Sequence, residues 1–144
     1  MLVVVAAGAS SAAASDEVEL FDAALHGYLG DVDRLLAAGA ADVNNEVKGG
    51  SPLVAAAGAG HSKVVTKLIA AGADVNQATT DDGSTPLFIA AANGHSLVVK
   101  TLIVAGAGLN QAATEIGATP LYGAAQAGRS TVVTKLIAAG ADVN

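Results

Sequence analysis

The side chains able to do chemistry in this chain are few and scattered. There is no cysteine, so neither a disulfide nor a thiolate nucleophile or metal ligand can be built. The three histidines, His26, His61 and His95, are the candidates for metal ligation or proton transfer. His26 stands one helical turn after Asp22, but no serine or other nucleophile accompanies the pair. Gly58-Ala59-Gly60-His61-Ser62-Lys63 has the look of a phosphate-cradling loop with a following lysine. Such a loop must follow a buried strand, and the residues before this one read as helix. Asp81-Asp82-Gly83 shares only composition with a calcium loop, lacking the regular alternation of oxygen ligands and the closing Glu. A hairpin tip is the better reading. We therefore expect no enzyme, no catalytic residue, no cofactor and no metal site.

The elements that carry these residues are built from small side chains. The 144 residues fit one modest domain, and 52% hydrophobic content excludes disorder. Aromatics amount to Phe21, Tyr28, Phe88 and Tyr122, with no Trp and 17 Gly. Many thin layers at close backbone approach suit this composition better than one large core. Charge is uneven. Residues 16–46 hold eight carboxylates against Arg34 alone, a net −7; the rest holds five carboxylates against six Lys and Arg, a net +1. An acidic chain without a basic cluster argues against nucleic acid and anionic membrane surfaces as partners. Every apolar stretch is broken well short of the roughly 18 residues a membrane span needs. No compartment is fixed, and a cytoplasmic one is favoured.

Self-similarity dominates the chain. VVTKLIAAGADVN at Val64–Asn76 recurs unchanged at Val132–Asn144, and Val98–Asn110 reads VVKTLIVAGAGLN. Upstream stand SPLVAAAGAGH from Ser51, TPLFIAAANGH from Thr85 and TPLYGAAQAGR from Thr119, with a degenerate copy, VELFDAALHGY, from Val18. The anchors Leu20, Leu53, Leu87 and Leu121 lie 33, 34 and 34 residues apart. Each unit predicts helix, tight turn, helix, then an extended finger. Ser51, Thr85 and Thr119 supply a hydroxyl N-cap with Pro at the first helical position. Gly60, Gly94 and Gly128 end the first helix, and Gly72, Gly106 and Gly140 the second. Ala56-Ala57, Ala90-Ala91 and Ala124-Ala125 let first helices of adjacent units lie close together. Ser15 or Asp16 is expected to cap the first helix of the first unit. His61 and His95 occupy one unit position, where each is expected to bond backbone groups of the turn; copies about 10 Å apart cannot share a metal ion.

These blocks resemble the ankyrin repeat family over residues 16–144, with units at about 16–45, 46–78, 79–112 and 113–144. The resemblance implies an all-α solenoid of stacked helix-turn-helix units with β-hairpin or loop fingers. It also implies a non-enzymatic protein-binding scaffold whose concave surface joins finger tips to first helices. The family's His after T-P-L is Val54, Phe88 and Tyr122 here, so apolar packing is expected in its place. The fingers before Leu87 and Leu121 are one residue longer than the family's unit, and Ala40-Ala41 enlarges the first unit's exit.

On that register the partner-binding candidates are Lys48, Gly50, Asp81, Asp82, Ser84, Asn93, Glu115, Ile116, Ala118 and Gln126, with Leu25 and His26 in the first unit. The partner is another protein of unspecified identity. The last unit repeats the internal apolar pattern instead of turning polar, as a terminal repeat should. Val132, Val133, Leu136 and Ile137 are therefore expected to need covering, in a longer array or in a homodimer through the C-terminal end. Residues 1–15 form an apolar segment of open role. Its readings are a leader without a positive n-region, a dinucleotide-binding turn with Ala12 and Ala14 where glycines are needed, a remnant unit aligning Val4–Ala9 with Leu68–Ala73, and an ordered tail.

Overall fold

A computed structural model describes residues 9–39, 41–113 and 116–143. Among the described residues there are eight helices, α1 (Ala9–His26), α2 (Leu29–Ala38), α3 (Pro52–Ala59), α4 (Ser62–Ala70), α5 (Pro86–Asn93), α6 (Ser96–Val104), α7 (Pro120–Gln126) and α8 (Ser130–Ala138). Consecutive helices pair as α1·α2, α3·α4, α5·α6 and α7·α8. First helices then pack on first helices and second on second, so two parallel layers run along the stack.

The starts of the first helices follow from side-chain chemistry. Ser51, Thr85 and Thr119 are extended, and each hydroxyl accepts the N–H three residues on, from Val54, Phe88 and Tyr122 at 3.3, 3.1 and 3.2 Å. Pro follows in each case, where a missing N–H leaves nothing unsatisfied. The first unit differs. Helix α1 runs unbroken through Ser15 and Asp16, so neither is its N-cap. The sequence ASSAAAS ahead of them is rich in the strongest helix former, and propensity carries the helix upstream. The leader, dinucleotide-turn and remnant-unit readings of the apolar segment rest largely on residues 1–8, which lie outside the described residues.

Inside the stack, Leu20, Leu53 and Leu87 are fully buried, as are Leu68, Leu102 and Leu136 on the second helices. Each such side chain contributes about 1.5–3 kcal/mol through area removed from water. Ala56, Ala57, Ala90, Ala91 and Ala124 are sealed between first helices. Ala125 is exposed, because no described element packs on the outer face of α7. The aromatic at the position after the anchor leucine is accommodated by a small residue opposite. A Cβ on Gly123 would stand 3.0 Å from the Phe88 ring, and one on Gly58 only 2.8 Å from Ile89 Cγ2. Large side chains in one unit are thus matched by missing ones in its neighbour.

Polar contacts tie the units together along both edges. His61 Nε2 lies 3.0 Å from the Leu25 carbonyl and His95 Nε2 2.9 Å from that of Gly58, and Arg129 Nε donates to Ala92 at 3.1 Å. The histidine bonds therefore reach the preceding unit, which corrects the sequence expectation that each would bond the backbone of its own turn. At the other edge Asn44, Asn76 and Asn110 accept the N–H of Asp74, Gly108 and Asp142 in the following unit, at 2.8, 2.7 and 2.8 Å. Among the described residues the fingers are loops and turns; the one β-bridge joins Val47 to Gly50.

Candidate interaction surface

The first finger is a tight turn. Val47 and Gly50 exchange both backbone hydrogen bonds, at 2.8 and 3.1 Å, and the two residues between them have positive φ, 54° at Lys48 and 84° at Gly49. That is the signature of a type I′ turn, in which Asn or Gly is the usual first occupant. Lys48 is the one non-glycine residue with positive φ among the described residues. The later fingers are wider, closing from Thr79 N–H to the Ser84 carbonyl and from Ala113 N–H to that of Ala118, both at 2.9 Å. Four residues lie between each of these closing pairs against two in the first finger, which accounts for the longer spacing from Asn76 to Leu87 and from Asn110 to Leu121.

Neighbouring fingers are joined. Thr80 N–H donates to the Gly49 carbonyl at 3.0 Å, and the Asp81 carboxylate lies so close to Gly49 that a Cβ there would meet Oδ2 at 2.8 Å. Asp82 organises its own loop: its carboxylate accepts the Thr79 hydroxyl at 2.7 Å and the Ser84 N–H at 3.0 Å. The Thr79 hydroxyl, then the side chain and N–H of Ser84, hold the Asp82 carboxyl below its ordinary value.

Between these fingers and the first helices lies a recess of about 250 Å³. Phe21, Leu25, Val54, Ala55 and Ile89 form its apolar floor, and Lys48, Asp81 and Asp82 its rim. Lys48 Nζ sits 5.9 Å from the Phe21 ring centre and 3.8 Å from Asp22 Oδ1. Of the residues expected on this face, Lys48, Asp81, Asp82, Asn93, Ile116 and Gln126 are exposed. Gly50, Ser84 and Ala118 are buried, a correction with one cause: each closes its finger through backbone bonds and is turned inward, although Gly50 still lines the wall of this recess and Ala118 that of a recess at the far end of the stack. Glu115 lies outside the described residues. Sequence reasoning does not single out Phe21, Val54, Ala55 and Ile89 as lining a surface. The repeat register could have found them, since they fill the two positions after the anchor leucine.

A second, larger recess of about 720 Å³ opens at the far end of the stack, lined by Leu121, Tyr122, Ala125, Val133, Ile137 and Val143 among others. Here too a correction is needed. Val132 and Leu136 are 1% and 0% exposed, because the i, i+4 pair faces the packing with α6 and α7. Only Val133, half-buried, and Ile137, exposed, face outward.

The histidines do not converge. His26 Nδ1 lies 2.8 Å from the carbonyl of Asp22, and its ring stacks on Tyr28. His61 and His95 sit against successive units. Among the described residues no group of three or more His, Cys, Asp or Glu could hold a metal ion, and no helix is long and apolar enough to cross a membrane. No curated protein matches the chain. A family model described as ankyrin repeats (3 copies) matches residues 20–113 and 67–144. Proteins with such repeats are generally protein–protein interaction modules and typically not enzymes. With the match and the paired-helix stack agreeing over nearly the whole length, this chain belongs to the ankyrin repeat family.

Proposed function

We propose that the chain is a non-enzymatic interaction module that binds another protein through the concave surface of finger tips and first helices. The observation that carries this reading is the apolar recess between α1, α3 and α5 and the first two fingers, rimmed by Lys48, Asp81 and Asp82. It offers an anchor site for a side chain on a surface otherwise poor in large residues, and such buried anchors dominate interface energy. Asn93 and Gln126 extend the surface along the first helices. A chain carrying Leu25→Gln, Asp81→Asn and Gln126→Ala together, with Asn93 kept because its amide donates to the Gly58 carbonyl at 2.9 Å, should lose a partner captured from its native cell while its unfolding midpoint changes little. Full retention of that partner refutes the concave-face reading.

A second reading, association of copies through the far end of the stack, is favoured by one observation: Ile116, Tyr122, Ile137 and Val143 are exposed around the larger recess. Contiguous apolar surface of this kind favours association. Light scattering over a wide concentration range should then give a dimer mass that Val133→Asp or Ile137→Asp reduces to monomer. An unchanged mass in those variants removes this reading.

A further inference from the structure

The two faces of the stack differ in charge. Among the described residues Lys48 is the one Lys or Arg on the fingers and first helices. Arg34, Lys63, Lys67, Lys100 and Lys135 all lie on second helices, and Arg129 immediately before α8. The recess and its surroundings therefore combine an apolar floor with the carboxylates of Asp22, Asp81 and Asp82, the last two exposed. Into this setting the chain places its own cation: the Lys48 ammonium hangs over Phe21 and beside Asp22 while 70% of its side chain stays in water. A loosely held ammonium over an aromatic face with a carboxylate alongside marks a position that suits a cation and from which this one is easily displaced.

Resting on the concave-face reading, we infer that the partner segment is basic. One apolar side chain seats on Val54, Ala55 and Ile89, and an adjacent Arg or Lys takes the place of Lys48 over Phe21 and between Asp22 and Asp81. The recess holds one large side chain at its volume of about 250 Å³, which fits a single anchor and not an apolar helix face. The bond from Thr80 to Gly49 joins the two fingers, so the rim is formed before the partner arrives. Lys48 is in this account a competitor of the partner, not a contact for it, and that fixes the sign of the test.

The probe is a random twelve-residue peptide library displayed on phage and panned against the full chain at low salt, followed by affinities of the enriched peptides as synthetic molecules. Enriched sequences should pair a large apolar residue with a neighbouring Arg or Lys. Lys48→Asn, which suits the positive φ and keeps the turn, should tighten them about three-fold; Asp81→Asn should weaken them by a similar factor, and Leu25→Gln further. Acidic enriched sequences, or weaker binding to Lys48→Asn, overturn the basic-partner inference while leaving the concave face as the interface. Peptides indifferent to Leu25→Gln and Asp81→Asn, or no enrichment at all, overturn both.

Discussion

Substituting Gly60 by Ala tests how units are coupled. Gly60 ends α3 with φ +83°, and Gly128 fills the equivalent position at the end of the last first helix with φ +73°. Alanine at either site adopts a left-handed conformation costing about 1–2 kcal/mol, offset in part by about 0.4–1 kcal/mol from a less flexible unfolded chain. The surroundings differ. At Gly60 the new Cβ would stand 2.7 Å from His95 Nδ1, whereas at Gly128 nothing lies within 4 Å. The His95 ring must then move and lose its 2.9 Å bond to the Gly58 carbonyl, a further cost of about 0.5–1.5 kcal/mol. Gly60→Ala should therefore destabilise by about 1.5–2.5 kcal/mol and Gly128→Ala by about 1 kcal/mol. The assay is urea unfolding followed by far-ultraviolet circular dichroism, which a chain without Trp requires. In a His95→Ala background the two glycine variants should cost the same. Equal costs in the native background would refute the claim that the ring couples the units through this glycine.

Further outcomes follow from the same geometry. Thr85→Ala should lose about 1 kcal/mol in urea titration and Thr85→Ser much less, because the hydroxyl caps α5. Asn76→Ala should cost about 0.5–1.5 kcal/mol by removing the 2.7 Å acceptor of the Gly108 N–H. Lys48→Asn should raise the unfolding midpoint slightly, since Asn tolerates the left-handed turn better than Lys. Asp82 has its carboxyl pKa lowered from 3.8 on folding, so its contribution is present above that value and is lost as pH falls through the lower folded one. Asp82→Asn should thus be less stable than the native chain at pH 7, with the gap in thermal midpoint narrowing below about pH 4. A gap that widens on acidification would contradict the assignment of Thr79 and Ser84 as its partners.

Much of this architecture is legible in the sequence because its causes are local. A hydroxyl before Pro fixes where α3, α5 and α7 begin, and the leucine period fixes what each unit buries. What was less legible depends on a neighbour about 33 residues away. His61 and His95 could be assigned to a turn from their own surroundings, but their acceptors, Leu25 and Gly58, belong to the preceding unit. The same holds for the asparagine row, where each Asn serves an N–H in the next unit. Gly50, Ser84 and Ala118 look like loop tips by composition, yet loop closure turns them inward. The recess escaped for a related reason: Phe21, Val54 and Ile89 read individually as core, and only stacking leaves a gap between them and the fingers. Helix α1 ran past its expected cap because alanine propensity outweighed a single Ser or Asp.

The most direct test of the concave-face account is amide hydrogen exchange of the full chain, alone and with a bound partner or selected peptide. The account predicts added protection at Phe21–Leu25, Val47–Gly50, Val54-Ala55, Thr79–Ser84 and Ile89, where the recess and its fingers lie. Protection confined to α6, which exposes Leu97 and Val104 on the second-helix layer, would contradict it.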